Sequence, residues 1–388
     1  MRFAFSFMAL YVIVFLLDLA LLRWLQPSWW QQRWLRRLLY GQFPLAVLGS
    51  ALWLISREYR LNDLLAVGWG LLAVLFLYLG SLLIALVVSA PALLVHKAWS
   101  FINPPSEPAR RAFIGRALAA VPVAGAGGVT YGLARSHSEA SLRAVPLYFD
   151  DLPPPLDGLR ILHISDIHIG PYIDLADLEK LLLRAEVLKP DLALITGDLC
   201  DHMPDYLDAL RLLEALPTRL GSYCSLGNHE YIRGVRRVRG LFEQTSLPLL
   251  VDSGQAIDVN GTPLYIAAAD DPRYLRSEES YTRLRTSVEK SMDSAPQEAF
   301  SILMSHRSQA LDYASPLGID LVLAGHTHGF QLGLGGRSLF DSLLPDRYIW
   351  GQYNQGQSQL YTTCGVGHWL PFRFGCPPEA PLIVLHKA

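Results

Sequence analysis

Five short polar clusters carry the chemistry available to this chain: Asp166-Ile-His168, Gly197-Asp198-Leu-Cys-Asp201, Gly227-Asn228-His229-Glu230, Ser305-His306 and Gly325-His326-Thr-His328. Carboxylate, carboxamide and imidazole donors without thiolates suit borderline divalent cations such as Mn, Fe, Zn or Co, and do not choose among them. An Asp-x-His or His-x-His at the end of a strand projects both side chains to one side, because residues i and i+2 share a face. The glycines before Asp198, Asn228 and His326 permit tight turns and close backbone approach. Asp198 can bridge two cations, since a carboxylate has two oxygens with spare lone pairs. Two cations about 3.5–4 Å apart clamp a phosphoryl group and bring the pKa of a bound water towards neutrality. One such cluster, in a chain with 11 histidines, is more often structural than ligating. Five in succession, each after an apolar run, call for a site.

The elements that must position these clusters are short. Arg160–Ser165, Leu192–Thr196, Ser222–Leu226, Ser301–Ser305 and Leu321–Ala324 read as buried strands, each delivering a polar cluster at its C-terminal end. Leu175–Leu188 carries apolar residues at helical spacing and ends before Pro190. Strand and helix alternation of this kind predicts an α/β layout.

In this order the motifs DxH, GDxxD, GNHE, H and GHxH resemble the calcineurin-like metallophosphoesterase superfamily, over residues 158–388. GHTHGFQ, with the Gly365-Val-Gly and Phe372-Arg-Phe-Gly-Cys-Pro-Pro-Glu379 runs, looks like the bacterial branch of membrane-linked or twin-arginine-exported phosphodiesterases. That branch commonly has glycine where Phe330 stands and proline where Ser308 stands; neither departure removes a ligand. The resemblance implies a two-sheet sandwich flanked by helices. It implies one metal on Asp166, His168 and His328, a second on Asn228, His306 and His326, and Asp198 between them. It further implies that His229 sits over the phosphate as acid or charge stabiliser, oriented by Asp201. The activity so implied is hydrolysis of a phosphoester or phosphodiester. The alternative is a membrane-bound metal-containing sensor or scaffold without turnover, against which the retained His229 argues.

Other residues divide between chemistry and structure. His163 lies within a strand and reads as a core histidine. His202 and His368 fall in loops near the clusters and are candidates for substrate contact. Arg233, Arg236, Arg237 and Arg239 suit either a substrate phosphate and anionic headgroups or a solvated helix face. The four cysteines, Cys200, Cys224, Cys364 and Cys376, form no CxxC pair. Cys364 and Cys376 could pair in an exported domain, but four small buried thiols is the preferred reading.

Composition sets the location. Hydrophobic residues make up 51% of the 388 and charged residues 18%, a balance that requires membrane spans. A net charge of −2 gives no basic face for nucleic acid. Four apolar blocks are expected to cross the membrane: Phe3–Leu22, Leu38–Ile55, Leu65–Val95 and Ala112–Leu133. Arginine and lysine concentrate in the first and third loops, while the second holds only Arg57 and Arg60 beside Glu58 and Asp63. The positive-inside rule then places the C-terminal half outside, in a multi-pass bacterial inner-membrane protein with a periplasmic catalytic domain. Arg110-Arg111-Ala-Phe-Ile-Gly115 also resembles a twin-arginine export signal. The expected organisation is a transmembrane region at 1–135, a Ser- and Pro-rich linker at 136–157, and the catalytic domain at 158–388. From that location a lipid-linked phosphate ester or pyrophosphate is the expected substrate, and membrane lipids the expected neighbours.

Overall fold

The computed structural model describes residues 2–25, 27–59, 62–102, 108–170, 172–344, 347–368 and 370–388. The chain forms two compact units, Met1–Ala134 with Leu370–Phe372, and Arg135–Trp369 with Arg373–Ala388.

The first unit is helical. Each expected span falls within a long helix: Arg2–Leu25, Arg33–Tyr59, Asn62–Ile102 or Pro108–Ser136. Among the described residues, one stretch, Gly70–Ala92, is long and apolar enough to cross a membrane. Tyr11, Val14 and Phe15 of the first long helix bury against Ala46, Leu72, Leu75 and Leu79. Asp18 is fully buried, with neither carboxylate oxygen hydrogen-bonded among the described residues. It lies seven residues before Leu25, a rise of about 10 Å that so short a side chain cannot cover. Residues 103–107 of the third loop, Arg60, and the side chains of Arg57, Lys97, Arg110, Arg111 and Arg116, on which the orientation argument leans, lie outside the described residues.

The second unit holds two main sheets. The first is built from β1 (Ala144–Phe149), β2 (Arg160–Ile164), β3 (Leu192–Thr196), β4 (Ser222–Ser225) and β13 (Leu382–Lys387), in the order β1-β13-β2-β3-β4. The second contains β5 (Ser253–Val259), β6 (Thr262–Ala268), β7 (Phe300–Met304), β8 (Leu321–Ala324), β11 (Gly351–Gln355) and β12 (Ser358–Thr362), in the order β11-β12-β8-β7-β6-β5. A two-stranded ribbon, β9 (Gly333–Leu334) and β10 (Arg337–Ser338), follows β8. The strands that carry the polar clusters are paired in parallel: β2 with β3 and β3 with β4 in one sheet, β7 with β8 in the other.

A dry layer of Leu147, Ile161, Leu194, Ile266, Ile302 and Leu323 fills the space between the sheets. On the outer face of the first sheet, helices Leu175–Glu186, Tyr206–Glu214 and Val235–Phe242 bury Leu178, Leu182, Leu210 and Val238. Helix Glu278–Ser291 covers the second sheet through Leu284 and Val288. Each such side chain contributes about 1.5–3 kcal/mol by leaving water. The α/β sandwich with outer helices is therefore present.

The linker reading of 136–157 needs correction. Residues 144–149 form β1, which pairs in parallel with β13 and alternates exposed and buried residues. Val145, Leu147 and Phe149 point into the inter-sheet core, a period-2 pattern that Pro146 and the following prolines hide in composition.

Candidate dimetal centre

Five loops, each at the C-terminal end of a parallel strand, converge on one point. Asp166 and His168 follow β2, Asp198 and Asp201 follow β3, Asn228 and His229 follow β4, His306 follows β7, and His326 and His328 follow β8. Three overlapping groups bring their ligand atoms within 4.8 Å of one another: Asp166, His168 and His328; His168, Asp198 and His229; Asp198, His306 and His326. Asp198 belongs to two of them.

The donors face each other as cation ligands do. The Nε2 atoms of His168 and His328 lie 3.2 Å apart, and His328 Nε2 is 3.4 Å from Asp166 Oδ1. On the other side His306 Nε2 is 3.2 Å from both Asp198 Oδ2 and Asn228 Oδ1, and 3.2 Å from His326 Nδ1. The outward nitrogens are already committed. His306 Nδ1 donates to the Thr196 carbonyl at 2.8 Å, His328 Nδ1 to the Gly367 carbonyl at 3.2 Å, and His168 Nδ1 to Asp201 Oδ2 at 3.2 Å. Each bond fixes a tautomer whose Nε2 lone pair points inward, the outer support that metal-ligating histidines need. The donor set suits divalent metal ions. All seven expected ligands and both expected catalytic residues are brought together.

The backbone is bent to achieve this. Asp166, His168, Asp198, His326 and His328 all have left-handed φ, between +50° and +71°. Residues with a Cβ lose about 1–2 kcal/mol in that conformation, and such strain gathers at functional sites. Phe330 and Gln331 continue the series at φ +50° and +59°. Glycine is required where the turns cross: a Cβ on Gly227 would meet Asp198 Oδ1 and stand 2.7 Å from the Asp198 nitrogen.

Glu230 ties the turns together. One carboxylate oxygen accepts from the nitrogens of Gly227 (2.8 Å) and Asp198 (3.0 Å); the other accepts from Leu199 nitrogen (2.9 Å) and the Tyr206 hydroxyl (3.2 Å). Burial and the neighbouring Asp198 charge raise its pKa, against the pull of the three amides.

Charge within the centre is strongly shifted. Burial opposes a charge on His306, but Asp198 and Asp166 carry its pKa up to about 10. Burial likewise opposes a charge on His168, and the Asp201 hydrogen bond and charge, with Asp198, carry it up to about 9. Burial would raise Asp198 and Asp201, yet the surrounding imidazoles hold both well below the usual carboxylate range. Burial lowers His326, as does the Arg307 charge beside it. Without a cation, carboxylates and histidines share protons where a metal would otherwise balance charge.

His229 is half-buried over the centre. Its Nδ1 lies 2.6 Å from Asp201 Oδ1, its backbone nitrogen donates to Asp198 Oδ1 at 2.8 Å, and its Nε2 faces Asp198 Oδ2 at 4.0 Å. Asp201 also accepts from Arg233 at 3.1 Å. Around these groups opens a cavity of ≈ 380 Å³, walled also by Arg307, Arg347, Leu275, Tyr281 and Phe330.

Other sequence candidates lie elsewhere. His163 is buried and bonds Thr196 Oγ1 at 2.9 Å; burial alone lowers its pKa to about 3. His202 pairs with Asp205 at 2.8 Å, and His368 stacks on Tyr172 with centroids 5.2 Å apart. Arg236, Arg237 and Arg239 lie exposed on their helix. The four cysteines are free, buried thiols.

Sequence reading missed Arg307 and Asp271. The buried Arg307 guanidinium makes a two-point contact with Asp271 (2.7 and 3.3 Å) and donates to the Arg273 carbonyl at 3.0 Å. It also contacts His326 Nε2 and Asn228 Oδ1. A signal existed: Asp270-Asp271 follows the apolar run Leu264–Ala269, as the other clusters follow theirs.

Comparison with known proteins agrees with this geometry. The sequence profile described as calcineurin-like phosphoesterase matches residues 159–330. A Danio rerio protein named "Transmembrane protein with metallophosphoesterase domain" is 31% identical over 271 residues, 66% of this chain and 60% of that protein. An uncharacterized metallophosphoesterase of Bacillus subtilis (strain 168) is 28% identical over 244 residues, 60% of this chain and 81% of its own length. Another from Aquifex aeolicus (strain VF5) is 31% identical over 273 residues, 65% of this chain and 95% of its own. The chain thus spans less than two thirds of the Danio rerio relative.

Proposed function

The chain belongs to the calcineurin-like phosphoesterase family, and from that premise we propose that it hydrolyses a phosphoester or phosphodiester at a two-metal centre on a membrane. The observation that carries this reading is Asp198, whose carboxylate belongs both to the group with His168 and His229 and to the group with His306 and His326, with His168 in turn grouped with Asp166 and His328. Asp166, His168 and His328 would hold one cation, Asn228, His306 and His326 the other, with Asp198 shared. The cations supply Lewis acidity and an acidified water for in-line attack on phosphorus. His229, held by Asp201, donates a proton to the departing oxygen or stabilises its charge. Arg307 and Arg347 on the cavity wall suit an anionic ester, and Leu275, Tyr281 and Phe330 suit an apolar portion of it.

The membrane part of the reading is a four-span anchor in a bacterial inner membrane, with the catalytic unit on the outer side and a lipid-linked phosphate as substrate. The apolar Gly70–Ala92 stretch supports it, as does the transmembrane name of the Danio rerio relative. The test is turnover of an aryl phosphodiester and the matching monoester by the detergent-solubilised full chain, with Mn²⁺ and with chelator. Metal-dependent turnover that Asp198→Ala abolishes is the expected result. Turnover unaffected by chelator or by the substitution would remove the dimetal mechanism.

A further inference from the structure

The segment that follows the last two metal ligands is unusually apolar on its outside. Leu334 is 75% exposed, Leu343 70% and Leu339 49%, with Leu344 and Phe330 each at 37%. These residues form one rim. Leu334 faces Arg337 across the β9–β10 ribbon, and Leu339 nitrogen donates to the Leu332 carbonyl at 3.0 Å. The nitrogens of Leu343 and Leu344 donate to the Phe340 carbonyl at 3.0 and 2.9 Å. The Phe340 ring meets Phe330 edge-on, with centroids 5.4 Å apart. Phe330 in turn walls the cavity that contains Asp198 and His229. Phe330 thus joins this exposed apolar segment to the cavity.

Phe330 is the informative residue. It keeps a left-handed backbone, φ +50° and ψ +21°, between Gly329 at φ +61° and Gln331 at φ +59°. Glycine adopts that conformation freely and a phenylalanine does not. Nor does burial compensate, since the ring stays partly exposed. A strained, exposed aromatic at a pocket mouth is explained by something it contacts outside the chain.

We infer that this rim docks on the surface of the lipid bilayer, seating the cavity over the phosphate of a membrane-embedded ester. The inference rests on the hydrolase reading above for the ester, though not for the docking. Two observations select a bilayer as occupant. Arginines accompany the leucines: Arg337, 3.9 Å from Asp341, lies over the Tyr353 ring at 4.6 Å, and the exposed Arg347, whose backbone nitrogen donates to the Leu344 carbonyl at 3.1 Å, lines the cavity. Leucine and phenylalanine beside arginine is the pattern of segments that enter the headgroup layer of anionic membranes. The chain also carries a stretch long and apolar enough to cross a membrane, Gly70–Ala92, which on the membrane reading above would keep this unit joined to a bilayer.

The experiment uses the full chain in single-copy nanodiscs. An environment-sensitive fluorophore is placed at Leu343→Cys; the four native cysteines are buried and resist labelling. Quenching by lipids brominated in their acyl chains is the expected result. A probe that brominated lipid leaves untouched overturns docking, and one also shielded from aqueous iodide would assign the face to a protein instead. In parallel, Leu334→Ser/Leu343→Ser is expected to lower turnover of phosphatidic acid in the disc about tenfold, with turnover of a soluble aryl phosphate held within about twofold. Equal loss on both substrates would overturn the inference by making the rim merely structural. If wild-type protein hydrolyses neither of these monoesters nor the aryl phosphodiester, the hydrolase reading fails and the quenching result alone decides the docking.

Discussion

Replacing Glu230 by alanine should loosen the centre without removing a single metal ligand. The wild-type carboxylate is 1% exposed and accepts from three backbone nitrogens and the Tyr206 hydroxyl. Alanine leaves all four donors buried without that partner. An unsatisfied buried donor costs about 1–3 kcal/mol, and water entering the vacated space recovers part of it, so about 3–6 kcal/mol is the expected loss. For a unit of this size each kcal/mol lowers Tm by about 2–4 °C, giving a fall of about 10–20 °C. Asp198 and Asn228 also lose their common anchor, and metal affinity should drop about 10–100-fold, as when other outer supports are removed. Glu230→Gln keeps one acceptor oxygen and should lose about half as much. Thermal unfolding followed by near-UV circular dichroism, with Mn²⁺ titration by calorimetry, measures both effects. A fall in Tm of less than about 3 °C with unchanged Mn²⁺ affinity would refute the role given to Glu230.

Three other outcomes follow from the geometry. Asp201→Asn removes the carboxylate that orients His229 and His168; kcat on an aryl phosphodiester should fall about 10–100-fold with KM little changed, and a change confined to KM would contradict this. In chelator-treated protein His168 and His306 have pKa values raised to about 9 and about 10 from 6.5. Their contribution to stability is complete below pH 6.5 and is lost as pH rises through 9 and 10; Tm of the metal-free protein should therefore decline over that window, while Mn²⁺ affinity climbs as the competing protons leave. A flat Tm between pH 6.5 and 10 would contradict those shifts. Gly227→Ala forces a Cβ against Asp198 and should lower Mn²⁺ affinity and Tm together, whereas Gly240→Ala, inside helix Val235–Phe242 with open space around it, should leave Mn²⁺ affinity unchanged and raise Tm slightly.

Most of the centre was legible because strand ends are legible. A short apolar run that terminates in Asp, Asn or His is a local pattern, and β2, β3, β4, β7 and β8 all show it. Of the strands that escaped notice, some have remote partners or mixed texture. β1 hides behind prolines and pairs with β13 more than 200 residues away, and β5, at the sheet edge, has a mixed pattern in which Ser253, Gln255, Ala256 and Asp258 are exposed. Arg307 and Asp271 were missed for a similar reason. Their ion pair joins residues 36 apart, and the one local sign, the acidic pair after the apolar run Leu264–Ala269, does not name Arg307 as its partner. The left-handed backbone at five ligands is beyond sequence reading altogether, because tertiary contacts impose it on residues that do not favour it. Glu230 was read as part of a motif, but its task became visible only when three amides from two turns were found on it.

The central claim is that two cations share Asp198. It is tested most directly by metal analysis of the purified full chain, with bound Mn²⁺ counted against protein by mass spectrometry in wild type and Asp198→Ala, and turnover measured on the same samples. Two ions per wild-type chain, fewer in the variant, and turnover that appears only with the second ion is the predicted result. Full turnover with one ion, or two ions retained by Asp198→Ala with activity intact, would contradict it.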